Sequence, residues 1–153
     1  MGNLIETLRE AGSFSRFIEA IRAAGLEERL TRGGPYTVFA PTDEAFGRIP
    51  EENLQIILAD KQMLPHVVEY HIVEGRYSPE SLKEMGSGKI KEDKFIKTEE
   101  GSSMYVTYED GTVMLDEIVR VAPEGTEFDN GICYAVDSVL MPTLSQAFEA
   151  YAA

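Results

Sequence analysis

Thr37-Val38-Phe39-Ala40-Pro41-Thr42-Asp43-Glu44-Ala45-Phe46 packs a strand, a corner and a helix start into one short stretch. Residues 37–40 are β-branched, aromatic or small and apolar, the composition of a short buried strand. Pro41 has no N–H with which to continue a ladder. Thr42 stands where a helix N-cap belongs, because its hydroxyl can accept from an orphan N–H of the first turn. Asp43 and Glu44 then set negative charge against the positive end of the helix dipole. Ala45 and Phe46 return the chain to the core. No side chain here is reactive on its own, so the stretch reads as architecture.

Working upstream, residues 3–9 predict a short helix with Leu4, Ile5 and Leu8 on one face, stopped by Gly12. Ser13 is placed to cap the next helix, where Phe14, Phe17, Ile18 and Ile21 fall at i, i+3, i+4 and i+7. Gly25 ends it, residues 26–30 add a turn, and Gly33-Gly34-Pro35 force a loop into the opening stretch.

Working downstream, Pro50 suits the first turn of a helix carrying Leu54, Ile57 and Leu58. Residues 61–63 make a break, and Pro65 starts a further helix with Leu64, Val67, Val68 and His71. Residues 72–77 read as a short strand and turn, and Ser78-Pro79 as cap and first helical position. Beyond Gly88 the period shortens. Residues 95–96, 104–108, 113–115 and 118–121 are strand candidates, with Glu109-Asp110-Gly111 as a hairpin. Asp129-Asn130-Gly131 turns sharply into an apolar strand at 132–140, interrupted by Asp137-Ser138. Met141-Pro142 stops it, and Thr143 caps a final short helix bearing Leu144, Ala147, Phe148 and Tyr151. Helices crowd the first half and strands the second, which indicates an α+β domain.

At 153 residues the chain fits one domain, large enough to bury roughly two thirds of its unfolded surface. A net charge of −13 argues against nucleic acid, since phosphate binding needs clustered Lys and Arg. It equally disfavours anionic membrane surfaces, and it favours a soluble monomer. Cys133 is the only cysteine, so no intrachain disulfide forms; within its apolar run it reads as a small buried hydrophobe. No apolar run is long enough to span a bilayer, and the first residues lack the pattern of a signal peptide.

Enzyme signatures are scarce. There is no Gly-x-Ser-x-Gly elbow and no phosphate-binding P-loop, and Gly86-Ser87-Gly88 reads as a turn. His66 and His71 lie about 140° apart on a helix and cannot share a metal as an i, i+4 pair does. The acidic pairs Glu51-Glu52, Glu99-Glu100 and Asp116-Glu117 lack calcium-loop spacing and read as solvated faces. Seven tyrosines and no tryptophan leave an aromatic sugar platform open without marking one. At Tyr70-His71, where an apolar helix meets a strand, two readings stand together. The ring bonds a helix-end carbonyl and holds the corner, or the pair belongs to a partner-binding surface.

Three stretches together resemble the fasciclin domain family. Residues 37–46 are similar to its first conserved box. Residues 64–82, with Tyr70-His71-Ile72-Val73-Glu74-Gly75, are similar to its central Tyr-His segment, and residues 130–142 to its second box. Order and spacing agree, and the resemblance covers about residues 3–142, with a short C-terminal helix after it. It implies a β-sandwich or wedge flanked by a bundle of short α-helices. It also implies an adhesion or interaction module, extracellular, periplasmic or on a cell surface, without catalytic residues, metal or cofactor. The implied partner is a protein or a cell-surface or matrix polysaccharide, met at Tyr70, His71 and Ile72. Thr37, Phe39, Pro41, Thr42, Asp43, Asn130, Gly131 and Asp137 are the implied structural signature, with Asp43 saturating backbone donors. Two departures stand out: Tyr134 replaces the usual His of the second box, and Gly125-Thr126 replaces the Asp-Ile pair of integrin-binding members, which makes integrin binding doubtful. The alternative is a carrier of an apolar small ligand, a lipid or pigment, between helices and sheet.

Overall fold

The computed structural model describes residues 2–140, so the helix expected at 143–151 lies outside the described residues. Three helices, α1 (Leu4–Ala11), α2 (Ser15–Ala23) and α3 (Glu27–Arg32), precede strand β1 (Tyr36–Pro41). Helices α4 (Asp43–Gly47), α5 (Glu51–Ala59) and α6 (Met63–Tyr70) follow, then β2 (Ile72–Glu74) and α7 (Pro79–Gly86). The second half is strands: β3 (Phe95–Lys97), β4 (Ser103–Glu109), β5 (Thr112–Leu115), β6 (Val119–Val121), β7 (Thr126–Phe128) and β8 (Gly131–Val136). Their order is β2-β1-β8-β6-β5-β4-β3, with β7 also on β8. The pairing is antiparallel except for β1 against β8, which run parallel from Tyr36 beside Gly131 to Pro41 beside Val136. The fold is α+β.

β1 is buried at every position because both of its faces are covered. Tyr36, Val38 and Ala40 point into a core shared with Leu8, Phe17, Ile21, Leu54 and Val68 of the helices. Phe39 points the other way, into a core with Val106, Leu115, Val121, Tyr134 and Val136 of the second-half strands. The two cores therefore meet at β1 and β8.

Several element boundaries differ from those expected. Thr42 caps α4 by accepting from Ala45 N at 3.1 Å, as its position predicts. α2, however, has no local side-chain cap, and Ser13 does not cap it. α6 begins at Met63, two residues before Pro65, because the Asp60 carboxylate accepts from both Gln62 N and Met63 N at 2.9 Å. Pro65 fits inside the first turn, where its missing N–H would have had no intrahelical partner. β8 ends at Val136 and does not run on to Leu140, since Asp137 turns back to bond Arg120.

Candidate functional site

The corner at Tyr70, His71 and Ile72 is where helical layer and sheet are joined. His71 is the C-cap of α6, and its ring is held by two backbone groups. Nε2 accepts from Leu140 N at 2.9 Å, which leaves the ring proton on Nδ1, and Nδ1 donates to Val67 O at 2.7 Å. The imidazole lies 5.8 Å from the Phe17 ring. Burial lowers its pKa to about 4, against the opposing pull of the Val67 carbonyl. A protonated ring would aim a second N–H at the Leu140 N–H. This histidine is a neutral bracket and has no nitrogen free for a substrate.

Tyr70 extends from the same turn toward the other core. Its hydroxyl donates to Asp116 Oδ2 at 2.6 Å, while Asp116 Oδ1 accepts from Tyr105 N at 3.0 Å. Burial, reinforced by the Asp116 carboxylate, pushes the phenol above its ordinary range. Asp116 and Glu117 both have positive φ, 51° and 65°, in the three-residue turn between β5 and β6. Tyr70 thereby pins a strained hairpin to α6. Ile72 begins β2 opposite Val38, and its carbonyl accepts from Glu99 N at 2.8 Å. Relative exposures are 3% for Tyr70, 1% for His71 and 0% for Ile72. The side chains expected to form the partner face thus lie inside the protein, because each bridges two elements of the fold.

The signature residues act on backbone in the same way. Thr37 Oγ1 donates to Gly75 O at 2.7 Å and accepts from Tyr77 N at 2.9 Å. Pro41 closes β1 beside Val136. Asp43 Oδ1 accepts from Arg16 N, and its Oδ2 accepts from Ser15 Oγ, both at 2.8 Å. One carboxylate of α4 therefore supplies the N-terminal cap that α2 lacks. Asn130 Nδ2 donates to Leu30 O at 2.9 Å and Gly33 O at 2.6 Å, tying off the end of α3. A Cβ on Gly131 would sit 2.0 Å from Tyr36 O, so β1 and β8 approach too closely there for any side chain. Asp137 Oδ1 accepts from Arg120 N at 2.9 Å. Phe39 stacks on Tyr134 at 5.9 Å, and the Tyr134 hydroxyl donates to Tyr77 O at 2.7 Å. The phenol that stands in for the family's histidine is thus tied to backbone, its pKa raised by burial.

Little else offers chemistry. Burial pushes the Cys133 thiol up to about 11. Among the described residues no group of three or more His, Cys, Asp and Glu side chains is placed to hold a metal ion. The apolar cavity between the helices, lined by Phe17, Ile57, Leu64, Val68, His71 and Val139, has about 10 Å³ of room, no more than one water needs. A lipid or pigment has no space there. Asp60, which starts α6, was not singled out from the sequence, and Asp116, expected on a solvated face with Glu117, is instead half-buried because its carboxylate bridges the Tyr70 hydroxyl and Tyr105 N. The signal for Asp116 was present: two short β-branched strand candidates separated by two residues have hairpin spacing.

A family model described as Fasciclin domain matches residues 12–142. The chain is 29% identical over 141 residues to the uncharacterized protein sll1735 of Synechocystis, covering 92% of this chain and 98% of that one. It is 30% identical over 140 residues to human periostin, covering 92% of this chain but only 16% of periostin. In three dimensions it is similar to a FAS1 domain pair from the insect cell adhesion molecule Fasciclin I. The TM-score is 0.70 at 18% identity, over 92% of this chain and 51% of that one.

Proposed function

The chain belongs to the fasciclin domain family, and from that premise we propose that it is a non-enzymatic adhesion or interaction module, placed at a cell surface or outside the cell. Its partner is a protein or a surface polysaccharide, and it acts as a monomer. One observation carries this reading. Tyr70 and His71, which mark the family, spend their polar side-chain atoms inside the fold, with no ring nitrogen or hydroxyl of that corner left over for a substrate. A domain whose signature is internal is a scaffold, and its specificity belongs to surface positions that the signature does not constrain. The likeness to a cell adhesion molecule supports the same reading. In this reading Tyr70, His71 and Ile72 act on recognition indirectly, by fixing the sheet to the helices beneath the binding surface.

The test is attachment. Beads coated with the domain should retain cells or isolated surface polymers of the source organism above beads coated with an unrelated acidic protein. Equal retention, together with no binding across a panel of extracellular proteins and glycans, would remove the proposal.

A further inference from the structure

Five of the six lysines of this chain fall between residues 83 and 97, although the chain carries −13 overall. Four of them, Lys89, Lys91, Lys94 and Lys97, surround β3, the strand at the end of the sheet. The 3-10 turn Lys91–Lys94 leads directly into that strand. Ile96 is buried, so alternation turns Phe95 and Lys97 to the outer face. Phe95 pairs across the strands with Tyr105 of β4, ring centroids 5.0 Å apart, and Lys91 Nζ lies 5.6 Å from the Tyr105 ring centroid. Phe95 is 44% exposed and the preceding Ile90 58%. Glu92 and Asp93 interrupt the lysines on the 3-10 turn, leaving an excess of positive charge between 89 and 97.

From this placement we infer that the outer face of the β3–β4 ribbon is the binding surface for an acidic polysaccharide, one bearing uronate or sulfate groups. This inference rests on the adhesion reading above. Exposed Phe95, with the half-buried Tyr105 ring beside it, offers flat apolar surface on which the C–H face of a sugar ring can lie. Lysines at either side supply charge to the acidic substituents. That the cations are lysines and none is an arginine matters: an ammonium is a mobile point charge that follows irregularly spaced anions, whereas a guanidinium favours fixed bidentate geometry. The negative charge elsewhere on the chain confines an anionic polymer to this patch.

The test uses the intact chain with dextran sulfate and alginate as acidic polymers, dextran as the neutral one and poly-glutamate as a polyanion that has no ring to stack. The expected result is binding to dextran sulfate or alginate but not dextran, weakening as salt is raised. The double variant Lys91→Glu, Lys97→Glu should lose at least about tenfold in affinity. Phe95→Ser should lose several-fold while keeping the salt dependence. All these positions are exposed, and an unchanged melting temperature shows that the variants are folded. Wild-type affinity in the charge-reversed variant would overturn the site and leave the adhesion reading standing. So would equal binding of dextran and its sulfate, and equally tight binding of poly-glutamate would overturn the ligand class. Attachment to cells without binding to either acidic polymer would also overturn this inference alone. Failure to attach to anything would remove both.

Discussion

His71 is held neutral by geometry, and its linkage to folding has a definite sign. Its pKa is about 4 in the folded protein against 6.5 for the free side chain. Between those values the unfolded chain takes up a proton that the folded one refuses, so stability falls as pH drops from 6.5 to 4. The slope is about 1.4 kcal/mol per pH unit, for a total near 3 kcal/mol. Denaturant unfolding of the wild type and of His71→Gln across this window isolates the term, because other titrating groups are common to both. A difference between the two curves that does not change with pH would dismiss the bracket. At Gly131 the constraint is steric: Gly131→Ala puts its Cβ 2.0 Å from Tyr36 O and 2.8 Å from Phe128 Cζ. Backbone on one side and a buried ring on the other prevent relief, so the variant should lose several kcal/mol or fail to fold. A melting temperature within a degree or two of wild type would contradict that contact.

At the scale of elements, the caps written locally were legible and those supplied from a distance were not. Thr42 before α4 and Ser78 before α7 each sit three residues from the N–H they accept, a spacing visible in the sequence. The cap of α2 comes from Asp43, 27 residues away from Arg16, and periodicity carries no trace of it. The three-residue strand β7 escaped for a similar reason, since Thr126-Glu127-Phe128 has no alternation to read and becomes a strand by pairing with β8. At the candidate site the sequence singled out Tyr70-His71 but did not show which way the two face. Tyr70-His71 at a helix-to-strand boundary suits a buried bracket and an exposed face equally until the partners Asp116 and Leu140 are brought to it. Asp43→Ala should cost about 1–2 kcal/mol, the value of a lost N-cap. Combined with Ser15→Ala it should cost less than the sum, because both remove the same hydrogen bond. Tyr70→Phe should cost about 1.5–3 kcal/mol by leaving the Asp116 carboxylate one donor short. Its amide exchange should quicken at the β5–β6 turn while α1 is unaffected.

Across the whole molecule, the placement of β1 and β8 decides how the domain comes apart. The helices and the second-half strands have separate cores, and a chain built as helices followed by strands invites two folding units. Yet β1 gives alternate side chains to both cores: Val38 and Ala40 on one face, Phe39 on the other. Neither layer keeps its floor when the other is lost. Tyr70 and His71 add hydrogen bonds that run from α6 to the hairpin turn and to Leu140. Unfolding should therefore be a single transition, as for most domains of this size. Ile21→Ala damages the helical core and Leu115→Ala the sheet core, both from fully buried positions, and each should cost about 2–5 kcal/mol. Far-ultraviolet circular dichroism follows the helices. Near-ultraviolet tyrosine dichroism, uncomplicated because the chain has no tryptophan, weights the sheet through Tyr105, Tyr108 and Tyr134. In both variants the two signals should move together to the same lower denaturant midpoint. Loss of the helical signal in Ile21→Ala while the tyrosine signal keeps its wild-type midpoint would mean that the shared strands do not couple the layers.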